Sequence, residues 1–159
     1  HILAGLIAKA LGVEARRVSY VAFAGGGPAT AAIIGNQVTA GVSGYGEFVE
    51  QIRAGRMRAL AISSDQRQPG IDVPTLKESG IDVSLTNWRG VFAPPGVSDA
   101  VRTQLTDLMT RMNATPQWRE ICEQRDWAQS FMTGDAFKTF IDAEIARITA
   151  VLRDLGLAG

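Results

Sequence analysis

Gly25-Gly26-Gly27-Pro28-Ala29-Thr30 sets three consecutive glycines ahead of a proline and a helix-compatible run. Small residues let a ligand approach the main chain. The first turn of a helix presents N–H groups with no intrahelical acceptor, together with a partial positive charge. An anion, and a carboxylate above all, suits such a place. The alternative is that the glycines only turn a strand into a helix, and spacing alone leaves both readings open. The motif is not a P-loop, because no Gly-Lys-Ser/Thr follows. It is not a dinucleotide fingerprint either, because G-x-G-x-x-G counted from Gly25 meets Thr30 in its last position.

A second pattern, Gly41-Val42-Ser43-Gly44-Tyr45, approaches the G-x-S-x-G nucleophile elbow, with Tyr45 in the last glycine position. A serine hydrolase using Ser43 is therefore the alternative function. Its base would have to be His1, the one histidine of the chain, and a hydrolase needs that base positioned and oriented. The preferred expectation is that Ser43 hydrogen-bonds a ligand or caps the following helix, that there is no catalytic residue, and that the chain is not an enzyme. One His and one Cys, Cys122, are too few for a zinc site, and no spaced acidic loop suggests calcium, so no metal and no cofactor are expected. Cys122 reads as a small buried helix residue. Trp88 reads as a core residue and Arg89 as a surface one, in preference to an Arg89 fork holding a carboxylate.

The elements that would carry these residues alternate. Ile2, Leu3, Leu6, Ile7, Ala10 and Leu11 predict a helix that Gly12 ends. Val18–Phe23 reads as a buried strand, Pro28 opens a helix closing at Gly35-Asn36, and Val38–Val42 is a strand. Tyr45–Ala54 is a helix before Gly55, and Met57–Ser63 is another strand. Strands alternating with helices predict an α/β fold with a largely parallel sheet, which binds ligands at the carboxyl ends of its strands. Residues 65–87 read as loop with a short helix over Thr75–Ser79, and Trp88–Ala93 as a strand. Three helices follow, capped by Ser98, Thr115 (with Pro116) and Thr133. The last carries the apolar stripe Phe137, Phe140, Ile141, Ile145, Ile148, Leu152, Leu155.

The 159 residues hold sixteen Lys+Arg against sixteen Asp+Glu. A zero net charge without a basic run gives no electrostatic footprint for nucleic acid and little attraction to a membrane surface. No apolar stretch approaches the roughly 20 residues needed to cross a bilayer, so direct membrane insertion is not expected. The chain starts at His1 inside a helical pattern, which reads as a fragment.

Several segments in order resemble the C-terminal half of the Bug/TctC-type extracytoplasmic receptors of tripartite tricarboxylate transporters. They are VSYVAFAGGGPA (18–29), IIGNQV (33–38), GEFVEQIRAGRMRALAISS (46–64), DVPTLKESG (72–80) and NWRGVFAPPG (87–96). The resemblance implies a type II periplasmic-binding-protein-like α/β fold, with a parallel-rich sheet, flanking helices and an incomplete two-lobe architecture. Residues 1–88 would be the second-lobe portion carrying the glycine-rich loop. Residues 89–159 would be a crossover strand and C-terminal helices returning to the first lobe. The implied function is capture of a small mono- or dicarboxylate or related metabolite in the periplasm, for delivery to membrane transporter subunits. The family's carboxylate-binding loop falls on Phe23, Gly25, Gly26, Gly27, Ala29 and Thr30, with Ser43 and Gly44 where the next strand reaches the cleft. The chain departs from the family pattern at Phe23-Ala24-Gly25, where Tyr-Lys-Gly is common, and at Thr39, where Asp is usual. A half-length chain is expected to bind solute weakly, and to self-associate through the sheet surface it leaves open.

Overall fold

The computed structural model describes residues 1–157. Among them are six α-helices: α1 Ile2–Ala10, α2 Gly26–Ile34, α3 Tyr45–Arg53, α4 Asp99–Asn113, α5 Pro116–Gln124 and α6 Gly134–Asp154. A 3-10 turn spans Ala15–Arg17. The chain divides into two compact units, one formed by His1–Asn87 with the chain from Ala146 onward, the other by Trp88–Ile145.

In the first unit, α1 ends because Gly12 adopts φ +70°. The Val13 amide then reaches the Ala8 carbonyl at 2.9 Å and the Gly12 amide reaches Lys9 at 3.0 Å, which satisfies carbonyls the helix leaves open. α2 ends the same way on Asn36, with φ 53° and a 2.8 Å bond from the Gln37 amide to the Ala32 carbonyl. α1 packs on the chain end. A Cβ on Gly5 would fall 2.8 Å from Leu155 Cδ2, and Val151 and Leu155 are buried. Lys9 pairs with Asp154 beside them. Between α2 and α3, Ala29 and Ala32 are buried with Phe48 and Val49. The extended segment before Ser43 crosses this pair at Gly41, where any Cβ would collide with Ile33.

Thr75 organises the rest of this unit and is only 2% exposed. Its Oγ1 accepts from the Glu78 amide at 3.1 Å, while Glu78 Oε2 accepts from the Thr75 amide at 2.7 Å, a reciprocal capping box. The helix expected over Thr75–Ser79 is thus reduced to a capped turn. Val73, Leu76 and Val83 are buried around it.

In the second unit, Ser98 Oγ accepts from the Val101 amide at 3.3 Å and Thr115 Oγ1 from the Trp118 amide at 3.2 Å, so two of the three predicted caps form as side-chain bonds. Cys122 is buried on α5. Trp88 meets Phe140 edge-on at 5.5 Å and Phe137 at 6.3 Å, and its Nε1 donates to Glu144 at 3.3 Å. Gly90 fits within this aromatic group because a Cβ there would lie 3.0 Å from Phe92 and 3.1 Å from Phe137 and Trp88. Ile145, assigned to the apolar stripe of α6, is 60% exposed.

The predicted parallel-rich sheet is not formed among the described residues. Val18–Phe23, Val38–Val42, Met57–Ser63 and Trp88–Ala93 carry no strand. Among the described residues, the sheet-like pairing is an isolated parallel bridge, Ile62 to Thr75, with bonds of 2.9 Å from the Ile62 amide to Pro74 and from the Leu76 amide to Ile62. A strand exists only when a neighbour completes its ladder. These segments have strand composition without a continuous ladder, and in Val18–Phe23, expected to be buried, Tyr20, Val21 and Phe23 are exposed.

Candidate functional site

The glycine loop lies in the first unit. Gly25 is the N-cap of α2 with φ 136°, a conformation open to glycine, and no side chain caps the helix. α2 starts at Gly26, so Pro28 stands at its third position rather than its first. Because proline has no N–H and the Ala29 amide donates to the Gly25 carbonyl at 3.3 Å, the first-turn donors left without an intrahelical acceptor are Gly26 and Gly27. Thr30 Oγ1 donates to the Gly26 carbonyl at 2.7 Å, within its own helix. Ala29 and Thr30 are therefore drawn into helix bonding, while the Gly26 and Gly27 amides have no intrahelical acceptor. Cβ positions at Gly25, Gly27 and Gly44 meet nothing within 4 Å, so the rim of the loop is open. Phe23 is exposed just ahead of it.

Ser43 does not cap α3. Gly44 is the N-cap, and Ser43 Oγ instead donates to Glu47, four residues on in the first turn. Glu47 also lies against the α2 start: a Cβ on Gly26 would be 2.5 Å from Glu47 Oε2 and 2.8 Å from its Cβ. α2 and α3 thus bring Gly26, Ser43 and Glu47 together. Glu47 was not a predicted site residue. Its only sequence signal is the i, i+4 spacing from Ser43, and its approach to Gly26 depends on helix packing. Ser43 is therefore partnered by a carboxylate, while His1 stacks on Tyr20 with ring centroids 4.3 Å apart. The Ser–His pair required by a hydrolase is not made by the described side chains.

Arg89 lies on the surface, and one of its guanidinium nitrogens donates to the Trp88 carbonyl at 3.4 Å. Among the described residues, no group of three or more His, Cys, Asp or Glu could hold a metal ion, and no helix is long and apolar enough to cross a membrane.

A family model described as the tripartite tricarboxylate transporter family receptor matches residues 1–157. BugT of Bordetella pertussis is 29% identical over 161 aligned residues, which cover 98% of this chain and 48% of that protein. A UPF0065 protein from the gbd 5' region of Cupriavidus necator is 27% identical, covering 99% of this chain and 47% of its own length. The crystal structure of a TctC solute binding protein from Polaromonas, without ligand, superposes with a TM-score of 0.76 at 25% identity, over 98% of this chain and 53% of that one. That likeness carries a periplasmic-binding-like fold. The chain spans about half the length of the relatives it matches.

Proposed function

The chain belongs to the tripartite tricarboxylate transporter receptor family, and from that premise we propose that it is the solute-capturing portion of an extracytoplasmic receptor. The solute is a small mono- or dicarboxylate or a related metabolite, received by the Gly26 and Gly27 amides and passed to transporter subunits in the membrane. No chemistry is done on it. The observation that supports this reading is the start of α2, which no side chain caps, where the Gly26 and Gly27 amides have no intrahelical acceptor and the chain is open at Gly25 and Gly27. Main-chain donors at a helix start hold carboxylate oxygens without a counter-charge. Phe23, Gly25, Ser43 and Gly44 border the same loop and shape its approach.

Calorimetric titration of the chain with acetate, succinate and glutarate tests the reading. Weak, saturable binding is expected, because a receptor cleft buries its solute between two walls and this chain corresponds to about half of one. Nanomolar affinity would contradict the half-cleft account. Absence of any saturable binding would contradict the receptor assignment of the loop.

A further inference from the structure

In α4, Val101, Leu105 and Leu108 are spaced four and three residues apart, so they form one stripe along the helix. Met109 and Met112 of the same helix are half-buried within the second unit, while these three are 41%, 42% and 52% exposed. The stripe is an apolar face that its own unit leaves uncovered. Beside it, Gln104, Asp107, Thr110 and Arg111 line an open groove along the helix. The other two charges of α4, Asp99 and Arg102, pair with each other at 2.9 Å. Asp107 and Arg111 are exposed one turn apart, and neither makes an ion pair among the described residues.

Opposite charges without a partner, one turn apart and beside an apolar stripe, make a surface complementary to itself. We propose that α4 is a homodimer interface, in which the stripes of two copies cross antiparallel about a two-fold axis. Such an axis sets residue i against j and j against i, and keeps the same flank of both helices on one side. A crossing centred between Leu108 and Met109 sets Leu105 against Met112 of the second copy. It also brings Asp107 to within about 1.5 Å of the axial level of the second copy's Arg111, the rise of one residue, and symmetry repeats the pair. A parallel crossing would set Asp107 against Asp107 and Arg111 against Arg111, so charge selects the antiparallel one. The interface does not depend on the glycine loop, which lies in the other unit.

Sedimentation velocity over a range of concentrations tests this with the wild-type chain, Asp107→Arg, Arg111→Asp, and an equal mixture of the two variants. The wild type should show a discrete dimer. Each single variant sets like charges together at both pairs and should dimerise at least about tenfold more weakly. The mixture restores two opposite pairs across the crossing, so mixed dimers should form to within about threefold of the wild-type affinity. That recovery would also show that both variants fold. Single variants that dimerise as the wild type does, or a mixture no tighter than its components, would overturn the proposal and assign association to the exposed extended segments of the first unit. A monomeric wild type would overturn it as well, leaving the stripe to the part of a receptor that this chain does not span.

Discussion

Gly26 and Glu47 approach so closely across the α2–α3 pair that a single added carbon on Gly26 would lie 2.5 Å from the Glu47 carboxylate and 2.8 Å from its Cβ. Contact with the Cβ means that rotation of the glutamate tip does not relieve it. Gly26→Ala should therefore destabilise the chain by about 1–2 kcal/mol, within the usual cost of forced overpacking. In the double variant with Glu47→Ala, the loss should be smaller than the sum of the single losses, with a coupling above ~0.5 kcal/mol in urea unfolding. Strict additivity would show that the two residues do not meet.

Thr75 offers a test of the surrounding fold. Its buried hydroxyl caps one end of a turn whose other partner is Glu78. Thr75→Ala should cost about 1–2 kcal/mol, as for loss of a helix cap, and Thr75→Ser should recover most of it. Equal losses in both variants would place the effect in packing rather than in the hydroxyl.

Acid should weaken the same region. The Thr75 amide bond, followed by the Arg67 bond at 2.8 Å, holds the Glu78 carboxyl below the usual glutamate range. A carboxyl lowered in the folded state stabilises the fold above its unfolded value, and that contribution disappears as pH falls through the lowered folded value. Stability measured from neutral pH downward should fall across this interval, and Glu78→Gln should flatten the fall. A Glu78→Gln curve parallel to wild type would remove Glu78 as its source.

Val21, Phe23, Val42 and Leu60 are large apolar side chains left exposed on extended segments of the first unit. Extended backbone with exposed apolar residues is prone to edge pairing with another chain. The chain should accordingly self-associate, with a mass in light scattering that rises with concentration. A monomeric mass throughout the range would contradict this.

The helices were legible because their signals are local. Gly12, Asn36 and Gly55 stop helices through left-handed backbone, and Ser98 and Thr115 start them through a side-chain oxygen within the same turn. The strands were not, because composition at Val18–Phe23 or Trp88–Ala93 describes a segment able to pair, while pairing itself depends on distant neighbours. The same division runs through the site. The triple glycine announced an exposed helix start, but the start came two positions before Pro28, and Thr30 turned out to bond its own helix. Glu47 was invisible because its closeness to Gly26 follows from the seating of Ala29 and Ala32 against Phe48 and Val49, not from sequence spacing.

The most direct measurement is a titration of the isotope-labelled chain with propionate at constant ionic strength, following the glycine amide resonances against a chloride control. The Gly26 and Gly27 signals should move saturably with propionate alone, while Gly35 and Gly55, at the far ends of α2 and α3, stay in place. Unmoved Gly26 and Gly27 signals, or shifts equal to those produced by chloride, would contradict a carboxylate site at this loop.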